Sequence, residues 1–278
     1  MVVLPADVVS RYPRFSLYNS PYTAHDRGAA VDLYPDNADD DAPSPVAGEV
    51  VDVRTVRAPP KPYAAESDHL IVVDVGDHLA RMLHVDPAVE PGDEVAVGDS
   101  LGTMVRSGFF APWVANHIHL GFREHDTNPV RASGSLRLDV DVPVEPVPWD
   151  GVGTVAETGD TWVLLDAPAH PASGEYFAGI AGSAGVLDGG MPHYDAGGVL
   201  GGVDGPVSFL GANLGTVAGR DVAWNDLAVR ANGTPVTGLS FFLGRDWLGA
   251  KLVTPDWSAA VGDRVEVTVE STADARDH

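Results

Sequence analysis

Apolar runs in this chain are short, because glycine or proline interrupts nearly every one of them. The stretch EPGDEVAVGDSLG (90–102) shows the habit, with Gly92-Asp93 and Gly98-Asp99 punctuating a few alternating residues. Glycine adopts backbone angles that other residues avoid and proline lacks an amide donor, so both disfavour long helices. With 31 glycines and 22 prolines in 278 residues, the chain reads as mainly β, many short strands joined by turns. Strand-like runs in a first region are 48–53, 69–75, 79–85 and 117–122. The segment DVDVPVEPVPWDG (139–151) then holds Pro143, Pro146 and Pro148, a density that gives an extended connector. This places a domain boundary near residue 148. A second β-rich region, 149–278, follows, with TWVLLD, GPVSFLG, TGLSFFLG and DRVEVTVES as its apolar runs; a β-sandwich is expected there, ending in a frayed STADARDH tail.

Charge narrows the partners. Forty acidic against 17 basic residues give a net charge of −23, and Lys61 and Lys251 are the only lysines. Such a surface repels phosphate backbones and anionic membranes, so neither nucleic acid nor a membrane is an expected partner. An Asp-heavy, Lys-poor surface suits a salt-rich cytoplasm, where ions screen its self-repulsion. No apolar run is long enough for a transmembrane helix, and MVVLPADVVSRYP lacks the basic start of a secretory signal, so a cytoplasmic location is expected. With no cysteine, any metal must be held by His, Asp or Glu.

The stretch NHIHLGFRE (116–124) carries the chemistry. Ile118, Leu120 and Phe122 alternate with His117 and His119, so the segment reads as a half-buried strand presenting two imidazoles on one face. A metal site, a catalytic pair or a plain surface pair are all open on that evidence. Upstream, TAHDRGAAVDLYP places His25 seven residues before Asp32, with small residues between that let the backbone fold tightly. RMLHVDP puts His84 near the end of an apolar strand. Two imidazoles and one carboxylate are a suitable set for catalytic zinc, with a fourth position left for water. There is no H-E-x-x-H and hence no adjacent glutamate base, so a further histidine would have to move protons, work its ordinary pKa suits. His117, on the strand face of His119, is placed for that work.

The order of these motifs resembles the lysostaphin-type zinc metallopeptidases. His25 and Asp32, then SPVAGEVVDV, MLHVDPAVEPGDEVAVGDSLGTM and NHIHLGFRE, are similar to that family's His…Asp pair, middle histidine, Gly-Asp turns and closing H-x-H. The likeness covers about residues 20–125. Six residues separate His25 from Asp32 where that family usually has three. TAHDRGAAVD instead resembles the S-x-H-x-x-G-x-A-x-D motif of the D-Ala-D-Ala carboxypeptidases, with Thr23 in the serine place. Both belong to one superfamily that also includes the hedgehog signalling domain. The resemblance implies a lysostaphin-like β-domain in which His25, Asp32 and His119 bind Zn2+. It implies that His84 and His117 serve as acid/base and transition-state stabilisers on a peptide or amide substrate. The alternative is a catalytically silent zinc-binding or ligand-binding module of the same fold.

Other features carry blander readings. VEPGDEVAVGDSLG also resembles biotinyl and lipoyl carrier barrels, but Lys61 lies in PPKPY, ahead of those turns, and cannot be the carrier lysine. PDNADDDAPS (35–44) lacks the glycine and distal glutamate of a calcium loop and reads as a solvated loop. AGGVLGGVDG (196–205) has no P-loop lysine and reads as a glycine loop. Trp149, Trp162, Trp224, Trp247 and Trp257 are expected to pack in a core rather than form a sugar-stacking face, and His170 and His193 to face solvent.

Overall fold

The computed structural model describes residues 1–36 and 39–272. The acidic-loop reading at Asn37 and Ala38 and the frayed-tail reading at 273–278 therefore lie outside the described residues. The chain is mainly β, and the described helix is the four-residue Ala6–Val9. No helix among the described residues is long and apolar enough to cross a membrane. The fold divides into two compact units, Met1–Phe15 with Gly28–Val142, and Ser16–Arg27 with Pro143–His278.

The Gly-Asp turns have one design. Asp93 donates its amide to the Glu90 carbonyl, while its carboxylate accepts from the Glu90 amide at 2.8 Å. Asp99 does the same with Ala96, and Asp263 with Ala260 in the second unit. The glycine before each aspartate sits at a φ of 94–101°, where a side chain would be strained. Each turn is thus closed at both ends by one aspartate, and the chain can reverse within four residues.

In the first unit an antiparallel sheet runs in the order Ala30–Tyr34, Ile118–Arg123, Leu79–Leu83, Asp68–Asp74, Gly48–Val56, Glu94–Val95. Register sorts its residues onto two faces. Ile118 pairs with Leu33, Leu120 with Val31 and Met82, and Met82 with Ile71, all fully buried. Side chains of this kind each contribute roughly 1.5–3 kcal/mol on leaving water, so this face forms a core. The opposite face carries Asp32, His119, Leu83 and Leu70 in one row across the ladders. Separate short ladders join Asp41–Pro43, Ser100–Met104 and Val85–Pro87, and pair Val2–Leu4 in parallel with Leu138–Val140.

The second unit is β-rich and sandwich-like, with hairpins closing on a large core beside a smaller cluster of Val147, Ala178, Phe242 and Leu248. Arg264–Ser271 is typical: Val265, Val267 and Val269 point inward and the residues between them outward. Within the proline-rich segment, Val144–Val147 forms a parallel ladder with Phe177–Ile180. The stretch 196–205 corrects its reading as a loop, since Ala196–Leu200 is a strand paired on both sides. Its glycines serve packing: a Cβ on Gly197 would meet the Trp224 ring at 1.9 Å, and one on Gly198 the Tyr18 ring at 2.3 Å. His193 is also not solvent-facing; burial, then the charge of Lys251, push its pKa down to about 4.

Candidate metal centre

Asp32 and His119 are direct partners across the ladder between Ala30–Tyr34 and Ile118–Arg123. Directly opposed residues project to the same side with Cβ atoms about 5 Å apart, so the register alone brings carboxylate and imidazole together. His119 Nδ1 lies 3.1 Å from Asp32 Oδ1. His117, two residues earlier on the same face, places Nε2 at 3.4 Å from the same oxygen. Its Nδ1 lies 2.9 Å from the Ala115 carbonyl, which can only accept, so that nitrogen carries the proton.

His25 sits in a turn held from the protein interior. Its Nδ1 donates to the Leu17 carbonyl at 2.8 Å, which makes Nε2 the nitrogen available to an ion. The Leu17 amide donates to the Asp188 carboxylate at 2.7 Å, and the Ser16 hydroxyl donates to its other oxygen at 2.5 Å. Asp188 is fully buried, and that burial raises its pKa to about 6 against the lowering effect of these bonds and of His25 and Arg220.

His25, Asp32 and His119 each offer one ligand atom, and these atoms all lie within 4.8 Å of one another. Ligands about 2.0–2.2 Å from a tetrahedral ion stand a little over 3 Å apart, the scale of the separation between His119 Nδ1 and Asp32 Oδ1. The donor set, two imidazoles and one carboxylate with one imidazole oriented by a backbone carbonyl, fits a divalent transition metal.

His84 lies at the break between Leu79–Leu83 and Val85–Pro87, not inside one continuous strand, with a φ of 73°. Its ring centroid is 5.3 Å from that of His117 and 5.9 Å from that of His119. Its Nδ1 meets Asp68 Oδ2 at 2.7 Å. Asp68 was not visible as a site residue in the sequence. It opens an apolar run, and only the hairpin register that pairs Leu70 with Leu83 brings it beside His84. The Ser107 hydroxyl reaches the same carboxylate oxygen at 2.5 Å.

The histidine face is not half-exposed, as alternation alone suggests: every residue of Ile118–Arg123 is buried. The loop after Met104 covers it. Phe110 stacks on His117 at 4.4 Å between centroids and meets His84 edge-on at 4.6 Å. Arg106 pins that loop by donating to the Pro112, Ala111 and Val114 carbonyls, and the Tyr63 hydroxyl donates to the Phe110 carbonyl. No sequence pattern announces such a cover, because its contacts are between loops and backbone carbonyls.

Comparison with curated proteins found no match. Among solved structures, the chain is similar to the antimicrobial peptidase lysostaphin from Staphylococcus simulans, with 14% identity over 94% of this chain and 88% of that one, at a TM-score of 0.29. Residues 3–140 match the model described as the N-terminal domain of a domain of unknown function (DUF8155), and residues 145–270 match its C-terminal domain. Matching both domains in order, the chain belongs to the DUF8155 family.

Proposed function

We propose that this protein is a zinc-dependent hydrolase acting on a peptide or amide bond. The observation that carries the reading is the convergence of His25, Asp32 and His119, with His84 and His117 at their side. His25, Asp32 and His119 would hold the ion, leaving one coordination position for water or substrate. Bound zinc would supply Lewis acidity, polarising a carbonyl and bringing a water's pKa to about 7. The chain's own residues do the rest. His117, its Nδ1 proton tied to the Ala115 carbonyl, presents Nε2 to the site and can take up or give a proton there. His84, its Nδ1 tied to Asp68, is placed to do the same or to stabilise charge on a substrate oxygen. Phe110 and the chain behind it keep bulk water from both rings, which strengthens each electrostatic contact.

The burial of the group favours a second reading. His25 and Asp32 are 1% exposed and His119 is 9% exposed, as expected of a closed, silent metal site. Metal analysis of the purified protein, followed by turnover on a panel of peptides and amides at low and high salt, separates the two. Bound zinc with turnover supports the hydrolase, bound zinc without turnover on any amide supports the silent module, and no affinity for zinc removes both. The high-salt arm follows from the net charge of −23, whose self-repulsion added ions would screen.

A further inference from the structure

One carboxylate grips His84 at two points. Asp68 is fully buried, and its Oδ1 accepts from the backbone amides of His69 at 2.7 Å and His84 at 3.0 Å. Its Oδ2 accepts from the Ser107 hydroxyl at 2.5 Å and faces His84 Nδ1 at 2.7 Å. The backbone grip holds His84 at its positive φ, a conformation seldom seen outside glycine, while the Val105 amide donates to the His84 carbonyl. Phe110 closes on the ring from another side.

We propose that Asp68 is a positioning residue that locks His84 as its Nδ1–H tautomer, so that Nε2 carries the lone pair presented to the metal centre. Its effect on turnover rests on the hydrolase reading; its effect on the ring does not. Oδ1 already accepts from two fixed backbone N–H groups and Oδ2 from the Ser107 hydroxyl, the pattern of an ionised, acceptor-only carboxylate. Burial alone would raise the Asp68 pKa, yet the hydrogen bonds from His84, the Ser107 hydroxyl and the His69 amide hold it below the ordinary carboxylate value. The proton shared with His84 therefore belongs to Nδ1. Ser107 is not a nucleophile in this arrangement. Its hydroxyl proton goes to Asp68 and its oxygen accepts from the Phe109 amide.

The substitution Asp68→Asn tests this with little change of shape. The amide oxygen must stay on the side of the two backbone N–H groups, because an NH2 there would face donors. The NH2 then faces Nδ1 and forces His84 to move its proton to Nε2, while Ser107 can rotate to accept. The readout is the 15N shift of the two His84 nitrogens, assigned with His84→Gln, in wild type and Asp68→Asn, together with metal content and kinetics. Expected are Nδ1–H in the wild type, Nε2–H in the variant, unchanged metal content, and kcat lowered about 10²- to 10⁴-fold with KM nearly constant. A wild-type ring protonated at Nε2 overturns the proposal whether or not the variant folds. So does a variant whose ring has switched tautomer but whose turnover equals wild type. Should the wild type turn over nothing, the hydrolase reading falls, and the two tautomers still decide whether Asp68 positions the ring.

Discussion

Asp32 and His119 meet because they are register partners in an antiparallel ladder, with His119 Nδ1 3.1 Å from Asp32 Oδ1. Backbone hydrogen bonds of the sheet fix that separation, so folding alone brings together these two of the three residues proposed to hold an ion.

Replacing His25, Asp32 or His119 with alanine is expected to weaken zinc binding by several kcal/mol, on the order of 10²-fold or more in Kd, since one of three protein ligands is lost. Chelator competition followed by metal analysis measures this. Full zinc occupancy in all three variants would show that the ion, if bound, sits elsewhere.

His117→Ala is expected to keep the ion and lower turnover about 10²-fold or more, the range for a lost acid/base group. The ring also packs between Phe110 and Tyr34, so a modest loss of stability should accompany the loss of rate. Zinc titration and steady-state rates on the same preparation separate the effects. Wild-type turnover in this variant would leave His117 no chemical role.

His193 makes stability depend on pH. Its folded pKa of about 4 lies below the ordinary 6.5, chiefly because burial disfavours the charged ring. The unfolded chain therefore binds the extra proton between those values. The stability contributed by the neutral ring is complete above about pH 6.5 and is lost as pH falls toward 4, by up to roughly 3 kcal/mol. Denaturant unfolding at several pH values should show this slope in the wild type and a smaller one in His193→Gln. Parallel curves for the two proteins would refute it.

Gly197→Ala is expected to destabilise by about 1–3 kcal/mol, because the new methyl meets the Trp224 ring at 1.9 Å and one of them must move. A lowered thermal midpoint, accompanied by a changed tryptophan emission, is the signature. An unchanged midpoint would mean that the ring shifts aside at no cost.

What the sequence disclosed was periodic or ordered along the chain. Alternation around Ile118, Leu120 and Phe122 placed His117 and His119 on one face, and the Gly-Asp pairs marked turns that the structure contains. What it withheld depended on contacts between distant segments. Asp68 comes to His84 through a hairpin register, and the histidine face is covered by a loop held through carbonyls. The glycines of Ala196–Leu200 signalled a loop by composition, whereas they leave room for Trp224 and Tyr18. In each case the deciding partner lies far away in sequence.

The facing of Asp32 and His119 also constrains how chains of this kind can change length. A strand alternates faces residue by residue, so deleting or inserting one residue within Ala30–Tyr34 or Ile118–Arg123 would turn Asp32 or His119 toward the packed side and an aliphatic residue into its place. Length variation among descendants of this sequence should therefore collect in the turns, such as 57–67 and 124–137, and spare these two strands altogether.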